Sequence, residues 1–254
     1  MRRSLRIVPP EESSLPQTLA KRLEVPPHHH EDLDLSDWTD FDVPTSRFTS
    51  MYVSLDGRSL LKVSNARRGL RTLAQRSMTD GELREAVDFL SHHDHEEEGI
   101  LNRIREMRSD LLAPISSVRR LAMQGEPVIV MVMPRLVGGL PFCDLALAQA
   151  MLGIIYLASH EIRHNDARAR NVVVGPSPGV REIEAVGIRF RLPKGAPWAR
   201  LVDFNRASAE SGEANADLRL LAADAGRVVT STEDGLALAR KIIASHGLLL
   251  SYRN

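Results

Sequence analysis

The stretch His164-Asn165-Asp166-Ala167-Arg168-Ala169-Arg170-Asn171 runs directly into Val172-Val173-Val174 and is followed further on by Leu201-Val202-Asp203-Phe204-Asn205. An Asp and an Asn five apart on a loop, ahead of a short apolar strand, with a second Asp ending a later strand, supply the oxygens that metal-assisted phosphoryl transfer needs. The transferring phosphoryl oxygens must be neutralised by magnesium, which takes hard oxygen ligands from a few side chains and keeps phosphate and water for the rest. The attacking hydroxyl needs an acceptor close to its proton, which is a matter of positioning more than of base strength. Asp166 suits that acceptor, and Asn171 with Asp203 suits the metal.

The apolar helix pattern, the H-x-D-x-x-x-x-N loop, the valine strand and the D-F strand end occur in one order, and in that order the chain resembles a protein kinase. The resemblance implies an α+β, bilobal protein kinase-like fold. A small antiparallel-sheet N-lobe would occupy residues 45–137, and a truncated, mainly helical C-lobe residues 138–254. It implies ATP and Mg as cofactors and a protein serine or threonine as the acceptor. The compact, divergent outline is similar to the protein kinases of large DNA viruses.

A kinase-like site also demands a lysine on a strand for the phosphates and a glutamate on a helix to hold it. Leu60-Leu61-Lys62-Val63 supplies the lysine, inside the strand-like run Met51 to Val63, which an Asp56-Gly57 hairpin signal interrupts. Lysine is scarce in this chain: only Lys21, Lys62, Lys194 and Lys241 stand among 33 basic residues, so a compact ammonium is used sparingly. For the glutamate, Ile100, Leu101, Ile104 and Met107 form an apolar stripe, and Glu97 alone of Glu96, Glu97 and Glu98 stands at helical spacing from its first three members. Glu97 should therefore point inward. Val128 to Met133 reads as a buried strand, and Pro134 to Gly139 as a connector, because Pro cannot donate and two glycines loosen the chain. By the resemblance, Met133 would guard the back of an adenine pocket, with the backbone of Pro134 to Leu136 facing the adenine edge. Arg168 would keep a positive charge near the γ-phosphate, and Asp217, in a helix starting near Asn215, would tie the loop backbone from below.

Several positions depart from the kinase pattern. The glycines of the phosphate-covering loop are replaced at the aligned positions Pro44, Ser46 and Thr49. Asn165 stands where Arg is usual, which removes the cation that receives an activation-loop phosphate. Asn205 replaces the Gly of D-F-G; Asn tolerates positive φ, so the turn can survive. No A-P-E follows Asp203, and Pro176, Pro178 and Gly179 open an extra hairpin near 176–199, through Ile183 to Leu192.

Elsewhere the patterns are local. Asp144 to Ser159 reads as an amphipathic helix with Ala148, Met151, Leu152 and Ile155 on one stripe. Thr79 with Glu82 is a capping-box signature for a helix over Asp80 to Leu90, and Thr230 with Glu233 repeats it before a last helix through Leu236, Ala239 and Ile243. Residues 1–44 are proline-rich with an acidic run from Glu31 to Asp42, and read as a mostly disordered arm. His28-His29-His30 and His92-His93-Asp94-His95 lack the partner ligands of a metal site and read as solvated histidines.

At 254 residues and 43% hydrophobic content the chain can bury a sizeable core. A formal net charge of zero gives no reason to expect nucleic acid or a membrane surface as partner. The single Cys143 forbids an internal disulfide and suits a reducing intracellular compartment, cytoplasm or nucleus. No signal peptide is visible. Three functions are compatible with these features. The first is a serine/threonine protein kinase using Lys62, Glu97, Asp166, Asn171 and Asp203. The second is a small-molecule kinase of the aminoglycoside-phosphotransferase type, whose loop reads H-G-D. The third is a pseudokinase that keeps the fold as a binding scaffold.

Overall fold

The computed structural model describes residues 23, 30–41, 48–74 and 79–250. Its chain is mixed α+β. A five-stranded antiparallel sheet is built from β1 (Trp38–Asp40), β2 (Thr49–Ser54), β3 (Ser59–Ser64), β4 (Ser117–Met123) and β5 (Glu126–Pro134), in the order β1-β2-β3-β5-β4. Helices α1 (Ala66–Ala74), α2 (Asp80–His95) and α3 (Glu97–Met107) fill the connection between β3 and β4. Beyond β5 come α4 (Asp144–Ser159), β6 (Ile162–Arg163), β7 (Val172–Pro176), β8 (Arg181–Ala185), β9 (Ile188–Leu192), β10 (Pro197–Leu201), β11 (Ser208–Ala209), α5 (Asn215–Asp224) and α6 (Thr232–Ser245). Here the strands pair only in twos, β7 with β10, β6 with β11 and β8 with β9. Among the described residues no helix is long and apolar enough to cross a membrane.

The turn between β2 and β3 forms where Asp56-Gly57 predicts it. Gly57 takes φ 71°, and the Asp56 carboxylate accepts from the Ser54 hydroxyl at 2.6 Å and the Arg58 N–H at 3.0 Å. β3 is central in the sheet, so both its faces are covered. Leu61 and Val63 join Val128 and Val130 in one cluster, while Leu60 joins Ile129, Met131 and Met133 in the main core. Lys62 shares the face of Leu60 by strand alternation, opposite Met51 on one side and Met131 on the other.

The outer face of the sheet explains one departure from expectation. Part of the segment read as a disordered arm is ordered: Leu33, Leu35 and Trp38 cover Leu61, Val63, Val128 and Val130. The Leu33 N–H donates to the Ala122 carbonyl at 2.8 Å, and β1 extends the sheet beside β2. An apolar sheet face left in water costs about 25 cal/mol for each Å² exposed, which is what the acidic-looking segment relieves with its three apolar side chains. The rest of the arm lies outside the described residues.

The main core is continuous. It runs from the inner face of the sheet through Ile100, Leu101 and Ile104 of α3 to α4, the β7–β10 pair, α5 and α6. α4 is its pillar and corrects the amphipathic reading. Leu145 through Ile155 are all buried, including Gln149, whose amide is satisfied by the carbonyls of Leu145 and Pro197 and by the Ala199 N–H. The wheel fails as a guide because α6, α5 and β10 pack around the helix on every side.

Helix starts show the same local logic with small shifts. The Thr79–Glu82 capping box is formed in both directions, and α2 runs past the expected Leu90 to His95. α6 is capped one residue later than expected: the Ser231 hydroxyl accepts from the Asp234 N–H at 3.1 Å, while Thr230 donates its hydroxyl to the Asp234 carboxylate. α1 was not anticipated. It is held by the Arg67–Asp94 pair, at 2.6 and 2.7 Å, and by Phe48 packed onto Gly69, where no side chain would fit. The hairpin expected through Ile183 to Leu192 is β8–β9.

Candidate active site

The loop between β6 and β7 is fixed from below by α5. The Asp217 carboxylate accepts the N–H of His164 at 2.9 Å and that of Asn165 at 3.2 Å, and is 3% exposed. The Ala169 N–H is taken by Asp224 at 2.9 Å. The His164 ring stands 5.3 Å from Phe204 and its Nε2 lies 2.9 Å from the Val202 carbonyl, so the loop is tied to the strand end that carries Asp203. Asn165 takes φ 60°, a conformation Asn tolerates better than most residues, and its amide donates to the Arg206 carbonyl at 2.9 Å and the Ser208 hydroxyl at 2.7 Å.

Asp166 and Asn171 are joined. The Asn171 amide nitrogen donates to the Asp166 backbone carbonyl at 2.8 Å and to its carboxylate at 2.9 Å. Its two N–H groups are thereby spent, and Oδ1 is the atom left to ligate a cation. The Val202 N–H donates to the Asn171 carbonyl at 2.9 Å, which sets Asp203 beside the loop. Arg170 also reaches Asp166, at 2.9 and 3.0 Å to its two oxygens, while Arg168 lies farther, 3.7 Å from Asp166 and 3.5 Å from Asp224. The role of Arg170 was missed in the sequence, although its i,i+4 spacing from Asp166 is the signal that could have found it.

Lys62, 7% exposed on β3, gives its ammonium to the Asp203 carboxylate of the C-terminal half. Burial raises the Asp203 carboxyl, but the Lys62 charge and hydrogen bond more than offset this and hold it below the usual carboxylate value. Asp203 itself takes the left-handed conformation, φ 64° and ψ 60°, and begins the short 3-10 turn 204–206. The expectation that Asn205 would supply positive φ is therefore corrected: Asn205 lies within that turn, and its amide donates to the Thr49 hydroxyl at 3.4 Å. Of the three positions aligned with the phosphate-covering loop, Thr49 begins β2, and Pro44 and Ser46 lie outside the described residues.

Glu97 points inward, 1% exposed at the start of α3. It forms no ion pair with Lys62. Its Oε2 accepts from the Ser64 hydroxyl at 3.3 Å, and its Oε1 is buried with no hydrogen-bond partner. Burial pushes its carboxyl up to about 7, with the Ser64 hydrogen bond and the nearby Lys62 charge working in the other direction.

Asp166, Asp203, Arg170 and Asn205 line a cleft of about 800 Å³, together with Phe48 and with Phe89 of α2. Met133, Pro134 and Leu136 do not line it. Met133 is packed in the main core, Pro134 is exposed at the end of β5, and Leu136 is half-buried in the connector. That connector is anchored by the Arg135 N–H on the Arg58 carbonyl at 2.7 Å, and it runs so close to Gly175 that a Cβ there would meet the Val137 carbonyl. Among the described residues no group of three or more His, Cys, Asp and Glu side chains could hold a metal ion, His92 to His95 included; His28 and His29 lie outside them. The hard oxygen donors are instead the Asp203 carboxylate, which lines the cleft, and the Asn171 amide oxygen behind Asp166, a pair whose chemistry fits a cation that takes its other ligands from phosphate and water.

Neither a scan against protein-family models nor a search of the curated proteins yields a match for this chain.

Proposed function

We propose that this protein is an ATP- and Mg-dependent phosphotransferase with a two-lobed, protein kinase-like architecture, transferring the γ-phosphate of ATP to a serine or threonine hydroxyl of a protein. One observation carries the reading: buried Lys62 of the sheet pairs with Asp203 of the C-terminal half, and Asp203 lines a cleft together with Asp166. In this reading Lys62 exchanges the Asp203 carboxylate for phosphate oxygens. Asp166, oriented by the Asn171 amide, accepts the hydroxyl proton as the acceptor oxygen bonds to the γ-phosphorus and the bond from that phosphorus to the β–γ bridging oxygen breaks, with ADP as the leaving group. Magnesium, when bound to Asp203 and Asn171 Oδ1, supplies neutralisation of the phosphate charge. Arg168 adds positive charge beside the loop, and Glu97 is the carboxylate nearest in role to an anchor for Lys62. Arg170 has to leave Asp166 before a hydroxyl can reach it.

The positive φ of Asn165 favours a second reading, a small-molecule kinase, because the glycine of an H-G-D loop adopts that conformation without cost. Incubation of the protein with labelled Mg-ATP, generic protein acceptors and small alcohols, beside Asp166→Ala and Asp203→Ala, separates the readings. Label in protein that both substitutions abolish supports the first. Label confined to small alcohols supports the second. Nucleotide binding without transfer to any acceptor makes the chain a scaffold and sinks both.

A further inference from the structure

A second cleft, of about 840 Å³, lies between the end of α3, the 108–116 segment and β10, and neither Lys62, Asp166, Asn171 nor Asp203 lines it. Its wall carries Trp198 and Arg200, two apart on β10 and so on one face of the strand. The Arg200 guanidinium carbon stands 4.0 Å from the Trp198 ring centroid, and that of Arg181, from β8, stands at the same 4.0 Å. Two cations thus share one indole. The carboxylate between them is already committed: Asp110 accepts from Arg181 at 3.0 Å, and its backbone carbonyl takes the Trp198 N–H at 2.8 Å.

Arg200 is left without an acceptor. Among the described residues its guanidinium makes no hydrogen bond or ion pair, and its Nε is buried and unpartnered. Burial first, and the Arg181 charge second, push it down to about 10, with the Asp110 charge working in the other direction. Arg108, exposed at the end of α3 with φ 47°, lines the same cleft and has no ion pair among the described residues. The cleft's other acid, Glu106, faces Arg105 at 3.9 Å. Among the described residues, two arginines of one concave site therefore have no hydrogen-bonded or ion-paired acceptor, and a guanidinium fork matches a tetrahedral oxyanion.

We propose that this cleft binds a phosphomonoester, with its phosphate held by Arg200 and Arg108 and its body in the space beside Trp198. The site is independent of the phosphotransfer reading. A structural role alone, in which Arg200 merely packs on the ring, would leave no saturable ligand response.

Trp38 and Trp198 are the two tryptophans of the chain, so Trp38→Phe makes Trp198 the sole indole reporter. That protein is titrated with inorganic phosphate, phosphoserine, and a peptide with and without a phosphoserine, against acetate at matched ionic strength. A saturable change in Trp198 emission is expected with phosphate groups, at concentrations at least about tenfold below any acetate effect. Arg200→Met and Arg108→Asn should each weaken it about tenfold or more, the latter at an exposed position whose left-handed backbone Asn tolerates. Tighter binding of the phosphopeptide than of phosphoserine assigns the ligand to a phosphorylated protein, and equal binding assigns it to a small phosphate ester. Phosphate that behaves like acetate, or retention of full response in both arginine variants, overturns the proposal. So does a response lost in Lys62→Ala but kept in Arg200→Met, which would place the anion in the other cleft.

Discussion

The loop that carries Asp166 and the strand that carries Lys62 are linked through Asp203 but satisfy their polar groups differently. On the loop, Asp217, Asp224, Asn171 and the Val202 N–H account for the backbone and side-chain groups around Asp166 from within the C-terminal half. On the sheet side, Lys62 leans across to Asp203, and Glu97 keeps one oxygen bare in a buried place. The loop groups are thus satisfied locally, whereas the sheet-side charges rely on one long-range ion pair and leave one buried carboxylate oxygen unpaired. A low-dielectric site makes that imbalance costly.

The largest expected effect tests the loop half of this contrast. Asp166→Ala should lower the initial rate of label transfer about 10²- to 10⁴-fold, the range for losing a positioned proton acceptor. A drop of less than about tenfold would remove Asp166 from that role.

Next comes the sheet half, through pH. Burial raises the Glu97 carboxyl from 4.5 to about 7 in the folded protein, so the folded state holds this proton more tightly than the unfolded chain. Its stabilising contribution is complete below pH 4.5 and is lost as pH rises through about 7. The parent should lose on the order of 3 kcal/mol from this group across that window, and Glu97→Gln should not. Urea unfolding near either end reads the difference, and a gap between parent and variant that does not widen with pH breaks the contrast.

A smaller loss is expected from Asp217→Asn, about 2 kcal/mol, because two buried N–H groups exchange a charged acceptor for a neutral one. Its denaturation midpoint should fall together with transfer activity; activity unchanged at the lower midpoint would free the loop from its support in α5. The least effect belongs to Arg170→Ala. Arg170 is 66% exposed, so its pair with Asp166 should contribute no more than about 0.5 kcal/mol. A shift several times larger in the unfolding midpoint would mean that the loop depends on a surface cation after all.

Much of the fold was legible because its signals are local. The capping box at Thr79, the turn at Asp56-Gly57 and the inward position of Glu97 depend only on neighbours a few residues away. α1 was legible but overlooked: the Asn65 side-chain carbonyl oxygen caps it by accepting the Arg68 N–H at 2.8 Å, and Ala66 and Leu70 stand i,i+4 on its buried side, while Phe48 and Asp94 hold it from other elements. β1 escaped because its polar sequence hides the few side chains that the sheet's outer face recruits. In the candidate site, Asp166, Asn171, Asp203 and Lys62 were legible as residue types at set spacing. The placement of Met133, Pro134 and Leu136 away from the Asp166 cleft was not, since it rests on how the connector packs against β7.

The sequence by itself determined which side chains are able to hold a cation, a phosphate or a proton, and the periodic elements on which they ride, because those properties are fixed by covalent chemistry and near neighbours. Only the tertiary structure decided that Lys62 meets Asp203 and not Glu97, and that Arg200 and Arg181 share one indole. Such pairings join residues far apart in the chain, and their strength depends on burial and on which competing charge the packing brings closest.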